Sequence, residues 1–130
     1  MRIAFIVSRY PWPLEKGDKL RAFNFIRYLS RFHDIYLFSL SNADLDDAMV
    51  KALQPYCKNI IVYRIHRMRM IFGAVRAFFR RLPLQIGYFY FNSIAREMRD
   101  QITALSPGIV FCQLVRTAEY AKGLPFPKVI

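Results

Sequence analysis

Near the start of the chain, Lys16, Gly17, Asp18, Lys19 and Arg21 set three cations and a carboxylate around one glycine. Glycine has no side chain to hold a ligand away from the backbone, and ammonium or guanidinium groups beside it suit a phosphate or a carboxylate. The plainer alternative is that Gly17 turns the chain and the lysines are solvated. Arg116, after a later apolar run, is a further candidate for holding an anion. Two generic phosphate fingerprints are missing: no G-x-G-x-x-G follows the first apolar run, and no G-x-x-x-x-G-K-[ST] occurs. Dinucleotide binding and P-loop hydrolysis are therefore not expected.

Other reactive side chains have quieter readings. His33 falls at the end of a helical period, where an imidazolium would favour the helix dipole. His66 stands among arginines, and a single histidine makes no metal site. Cys57 and Cys112 lie far apart without metal-ligand spacing and read as buried, reduced thiols. Asp46 and Asp47 look like the first turn of a helix rather than paired catalytic carboxylates. No metal is expected, and no catalytic residue can be assigned.

The middle of the chain has a different chemistry. From Ala48 to Arg96 there are nine cations (Lys51, Lys58, Arg64, Arg67, Arg69, Arg76, Arg80, Arg81 and Arg96) and no Asp or Glu. Met68, Ile71, Phe72, Val75, Phe78, Phe79 and Leu82 recur at helical spacing, and Pro83 stops the period. Arg69, Arg76 and Arg80 share one face opposite that stripe. Such a helix, with the aromatics Tyr88 to Phe91 after it, suits an anionic membrane surface. The competing reading is an ordinary surface helix, its apolar side on a sheet and its arginines in water. Nucleic acid is not the expected partner, because no reader motif accompanies the charge.

These groups need a scaffold, and strand-like and helix-like segments alternate from the start. The apolar runs at 3–7, 35–40, 59–63, 109–114 and 128–130 predict five strands, the first two buried on both faces. Ala22, Phe25, Ile26, Leu29 and Phe32 predict one apolar face on a first helix capped by Asp18. Further helices are expected at 44–54, at 68–82, at 93–105 with Ser93 as cap, and at 117–122. Strands alternating with helices imply right-handed crossovers and a parallel sheet covered on both sides. The expected fold is α/β and Rossmann-like.

Composition agrees. With 55% hydrophobic residues in 130, the chain can build a core, and its net charge of +11 calls for anionic partners. No apolar run approaches the roughly 18 residues of a membrane span. Arg9 interrupts the start before a signal peptide's apolar region could form. The expectation is a cytoplasmic chain, peripheral at the inner face of the membrane.

The opening of the chain also resembles a known family. A strand followed by Ser8-Arg9-Tyr10-Pro11-Trp12-Pro13, then Lys16-Gly17-Asp18-Lys19 and Arg21, is similar to the start of family 4 glycosyltransferases of the GT-B fold. So is a helix ending in Leu29-Ser30-Arg31-Phe32-His33, followed by Asp34 and the strand at 35–40. The nearest likeness is to bacterial sugar transferases of exopolysaccharide loci, including exosortase-associated ones. The resemblance implies that residues 1–130 are an N-terminal, acceptor-side domain, truncated before a C-terminal donor-binding domain. It implies retaining hexosyl transfer from a nucleotide sugar to a glycan or lipid-linked acceptor, with no metal or other cofactor. Lys16, Gly17, Asp18, Lys19, Arg21 and Arg116 would then hold substrate. Many members have two adjacent glycines where this chain has Gly17 and Asp18, and the base-like residue after the fourth strand has no match among Gln113, Leu114, Val115 and Arg116. The alternative is a noncatalytic Rossmann-like module that binds anions or membrane.

Overall fold

A computed structural model describes residues 1–14, 17–41, 44–65, 75–76, 78–79, 92–113 and 117–130. The strands are β1 (Arg2–Val7), β2 (Asp34–Ser41), β3 (Asn59–Arg64), β4 (Ile109–Cys112) and β5 (Lys128–Val129). They alternate with α1 (Gly17–Leu29), α2 (Asp47–Leu53), α3 (Asn92–Leu105) and α4 (Ala118–Ala121). All strand pairs are parallel, in the order β3-β2-β1-β4-β5. This is an α/β, Rossmann-like sheet.

The period of two along each strand divides the core. Ile3, Phe5 and Val7 of β1, with Ile35 and Leu37 of β2, meet Ala22, Phe23 and Ile26 of α1 and Leu53 of α2. Ala4, Ile6, Phe38, Leu40, Val110 and Cys112 meet Ile94, Met98 and Ile102 of α3 and Tyr120 of α4 on the other side. Each such large apolar side chain contributes about 1.5–3 kcal/mol when fully buried. The helices therefore fall on opposite faces according to the direction of crossover from β1, as right-handed connections require.

Local chemistry sets the element ends, and several differ from expectation. The second helix is shorter than 44–54, because the Asp46 carboxylate accepts from the Met49 amide at 2.8 Å and caps it there. Asp18 and Ser93, expected to precede their helices as caps, lie one residue inside the first turns, which open at Gly17 and Asn92. α3 ends at Leu105, and the next residue, Ser106, takes φ 52° while its amide donates to the Ile102 carbonyl. On α1, Phe23 is buried whereas Phe25 is exposed, as is Phe32 beyond the end of the helix, so the predicted stripe is rotated. Phe23 turns toward the rings of Trp12 (5.5 Å) and Tyr56 (5.7 Å), partners that a helical period does not reveal. Cys112 is buried as expected, but Cys57 is only half-buried.

The predicted helix at 68–82 falls largely outside the described residues. Val75, Arg76, Phe78 and Phe79 are described, and they are helical. Val75, Phe78 and Phe79 are 51%, 69% and 78% exposed, so at these positions the stripe does not pack on the sheet as the competing reading required. Both sheet faces are already occupied by α1 and α2 on one side and α3 and α4 on the other.

Candidate functional site at the carboxyl ends of β1 and β4

In an open parallel sheet the crevice for a ligand opens where neighbouring strands send their connections to opposite faces. Here that point lies between β1 and β4. The ladder continues one step past β4, because the Gln113 amide donates to the Ile6 carbonyl at 3.1 Å. Ser8 and Gln113 thus leave the sheet at neighbouring places, and both are buried polar residues, as is Thr117. The Thr117 hydroxyl donates to the Gln113 carbonyl at 2.9 Å, a link between the residue before α4 and the end of β4.

The Gln113 side chain makes the decisive link. Its Nε2 donates to the Asp18 main-chain oxygen at 2.8 Å, tying the first turn of α1 to the end of β4. Arg9 Nε stands 4.0 Å from the Asp18 carboxylate, at the edge of ion-pair contact and only partly buried. Aromatic residues fix the loop between them. Tyr10 is buried and donates its hydroxyl to the Met49 carbonyl at 2.9 Å, while Trp12 packs on Phe23 and the Trp12–Pro13 peptide is cis. Burial, with a smaller contribution from nearby Cys57, pushes the Tyr10 phenol up to about 12. Tyr10 is therefore a neutral anchor, and the loop's aromatic signature does packing work.

Gly17 opens α1 without a positive φ, and a Cβ there would meet nothing within 4 Å. Its role cannot be conformational relief. What glycine leaves is open space over the helix N-terminus, where backbone amides and the positive end of the dipole favour an anion. The structure brings Gly17 and Asp18 together with Arg9, Gln113 and Thr117. Lys19 is half-buried and Arg21 exposed on α1, while Lys16 and Arg116 lie outside the described residues. Arg76 is exposed, and Arg69 and Arg80 also lie outside the described residues.

Arg9, Gln113 and Thr117 were not singled out by type and spacing. A polar residue closing an apolar strand was the available signal for Gln113, but its partner is a carbonyl 95 positions away. Among the described residues no group of three His, Cys, Asp or Glu is placed to hold a metal ion. Burial pushes the Cys57 thiol up to about 12 and the Cys112 thiol up to about 11, the latter against the opposing charge of Lys128. Neither thiol is poised as a nucleophile near neutral pH. His33 does not cap α1 through its ring, which instead lies 3.3 Å from the amino terminus.

A hollow of about 250 Å³ lies at the opposite end of the sheet, lined by Ser30, His33, Asp34, Tyr56, Cys57 and Lys58 among others. It sits where β2 and β3 begin, so it is separate from the crevice. No family model matches the chain, and no curated protein matches it either. Among the described residues no helix is long and apolar enough to cross a membrane.

Proposed function

We propose that this chain is the acceptor-side domain of a GT-B glycosyltransferase that uses a nucleotide-activated sugar. The observation that carries the reading is the bond from Gln113 to Asp18, which ties the first turn of α1 to the end of β4, where the sheet's connections part to opposite faces. The resemblance of residues 8–40 to family 4 glycosyltransferases supplies the reaction class, which the fold alone does not. In such a transfer an acceptor hydroxyl bonds to the anomeric carbon and passes its proton to the departing phosphate oxygen. The nucleoside diphosphate leaves with the electron pair of the broken C–O bond. This domain would hold the acceptor: Gly17 leaves room, while Arg9, Lys16, Lys19, Arg21 and Arg116 offer charge to a glycan or lipid-linked phosphate. The donor would lie against a second domain, as the resemblance implies.

The test compares residues 1–130 with the product of the whole reading frame, each given nucleotide sugars and polyprenyl-phosphate-linked acceptors. Transfer is expected from the longer protein, reduced by Arg9→Ala, and absent from residues 1–130 alone. Turnover by residues 1–130, or a reading frame without a second α/β domain, would overturn the proposal.

A further inference from the structure

We infer that Val75, Arg76, Phe78 and Phe79 form a membrane-docking element that inserts apolar side chains between the headgroups of an anionic lipid surface. Among the described residues away from the termini, Phe78 and Phe79 are the most exposed large apolar ones, and Val75 adjoins them one turn away. The two rings meet edge to face at 5.8 Å and so present one apolar knob. Water solvates such a cluster poorly, and a patch of this kind marks an interaction surface.

Charge identifies the occupant. Arg76 lies within the same helical turn, is exposed, and has no ion pair among the described residues. No Asp or Glu occurs from Ala48 to Arg96 to offset the nine cations there. Two of them are matched from outside the span: Arg64 lies 3.1 Å from Asp44, and Lys58 lies 3.9 Å from Asp34. A second copy of the chain would bring the same +11 charge to the contact, and like charge opposes that pairing. An anionic leaflet satisfies both requirements, since acyl chains take the rings and phosphates take the guanidinium. The inference goes beyond sugar transfer and stands without it, because lipid binding needs neither donor nor acceptor.

The experiment is co-sedimentation of the 130-residue chain with phosphatidylcholine vesicles, with and without phosphatidylglycerol, at low and high salt. Binding is expected only to the anionic vesicles, with partial release by salt. Phe78→Ser with Phe79→Ser should lose about a hundredfold in partitioning, and Arg76→Gln about fivefold. Circular dichroism should show both variants folded, since the replaced side chains face solvent. As a second readout that leaves the knob aromatic, Phe79→Trp should blue-shift on binding and be quenched by brominated acyl chains. Equal binding by the double-serine variant, or an unquenched tryptophan, overturns the inference. So does Phe-dependent self-association without vesicle binding, or binding to single-stranded RNA in place of vesicles.

Discussion

Positive charge occurs in two regions of this protein, held in opposite ways. At the crevice between β1 and β4, Arg9 stands beside Asp18 on a loop pinned by Tyr10, Trp12 and Gln113. Around Phe78, Arg76 has no such frame, and its neighbours are exposed rings. A guanidinium fixed among polar groups can select an anion by geometry. One beside exposed phenylalanines adds its attraction to an apolar contact and selects only the sign of a surface. Net charge would count both alike; only their surroundings tell them apart.

Alkali should separate the two regions most strongly. Tyr10 is held up to about 12, Cys57 to about 12 and Cys112 to about 11, all chiefly by burial. Their ordinary values are near 10 for the phenol and near 8.5 for the thiols. Because the folded values are the higher ones, the neutral forms stabilise the fold. That stability is whole below about pH 8.5 and is lost as pH climbs through the 9–12 range. A tenfold change in a group's proton affinity is worth about 1.4 kcal/mol, against a usual stability of roughly 5–15 kcal/mol. The melting temperature should therefore fall steeply from about pH 9 upward. Cys57→Ser should move that fall to higher pH, while vesicle binding by the permanently charged arginines should persist until the protein unfolds. A melting temperature that stays level to pH 12 would show that these groups meet water in the folded state.

Next in size is the bond that closes the crevice. Gln113→Leu leaves the Asp18 carbonyl without its side-chain donor and should cost about 1–3 kcal/mol in urea denaturation. Arg76→Gln should change stability by no more than about 0.5 kcal/mol, since nothing in the described fold rests on it. Equal effects from the two substitutions would erase the distinction between framed and unframed charge.

The same contrast explains what could be read from the sequence. The five strands were legible because 3–7, 35–40, 59–63, 109–114 and 128–130 are largely apolar runs of strand length, although β4 already ends at Cys112. The crossovers followed from chain handedness. Partner-dependent features were not legible: Phe23 in place of Phe25 on the buried face of α1 is decided by Trp12 and Tyr56. Gln113 becomes part of the crevice only through a carbonyl from the other end of the chain. For Val75, Phe78 and Phe79 the helical period was correct and its usual meaning was not. A 3.6-residue stripe says that one side is apolar but not whether a sheet is left to cover it.

Gly17→Ala should have the smallest effect on stability, and its sign separates a folding role from a binding role. Gly17 has no positive φ, and a methyl group at this position meets nothing within 4 Å. Alanine is better than glycine by about 1 kcal/mol inside a helix, and by less at its first residue. The expected change is a gain of about 0.5 kcal/mol or less in urea denaturation. If glycine is there for the ligand, the methyl group should nonetheless weaken binding, because it occupies the open space above the amides of α1. Titrating inorganic phosphate and a short polyprenyl phosphate while following the backbone amide signals of Gly17 and Gln113 measures that binding. A variant at least as stable as the parent but with weaker binding would assign Gly17 to the crevice. Unchanged affinity would leave Gly17 as a helix start that any small residue could supply, and the ligand would then have to approach from the Arg9 side.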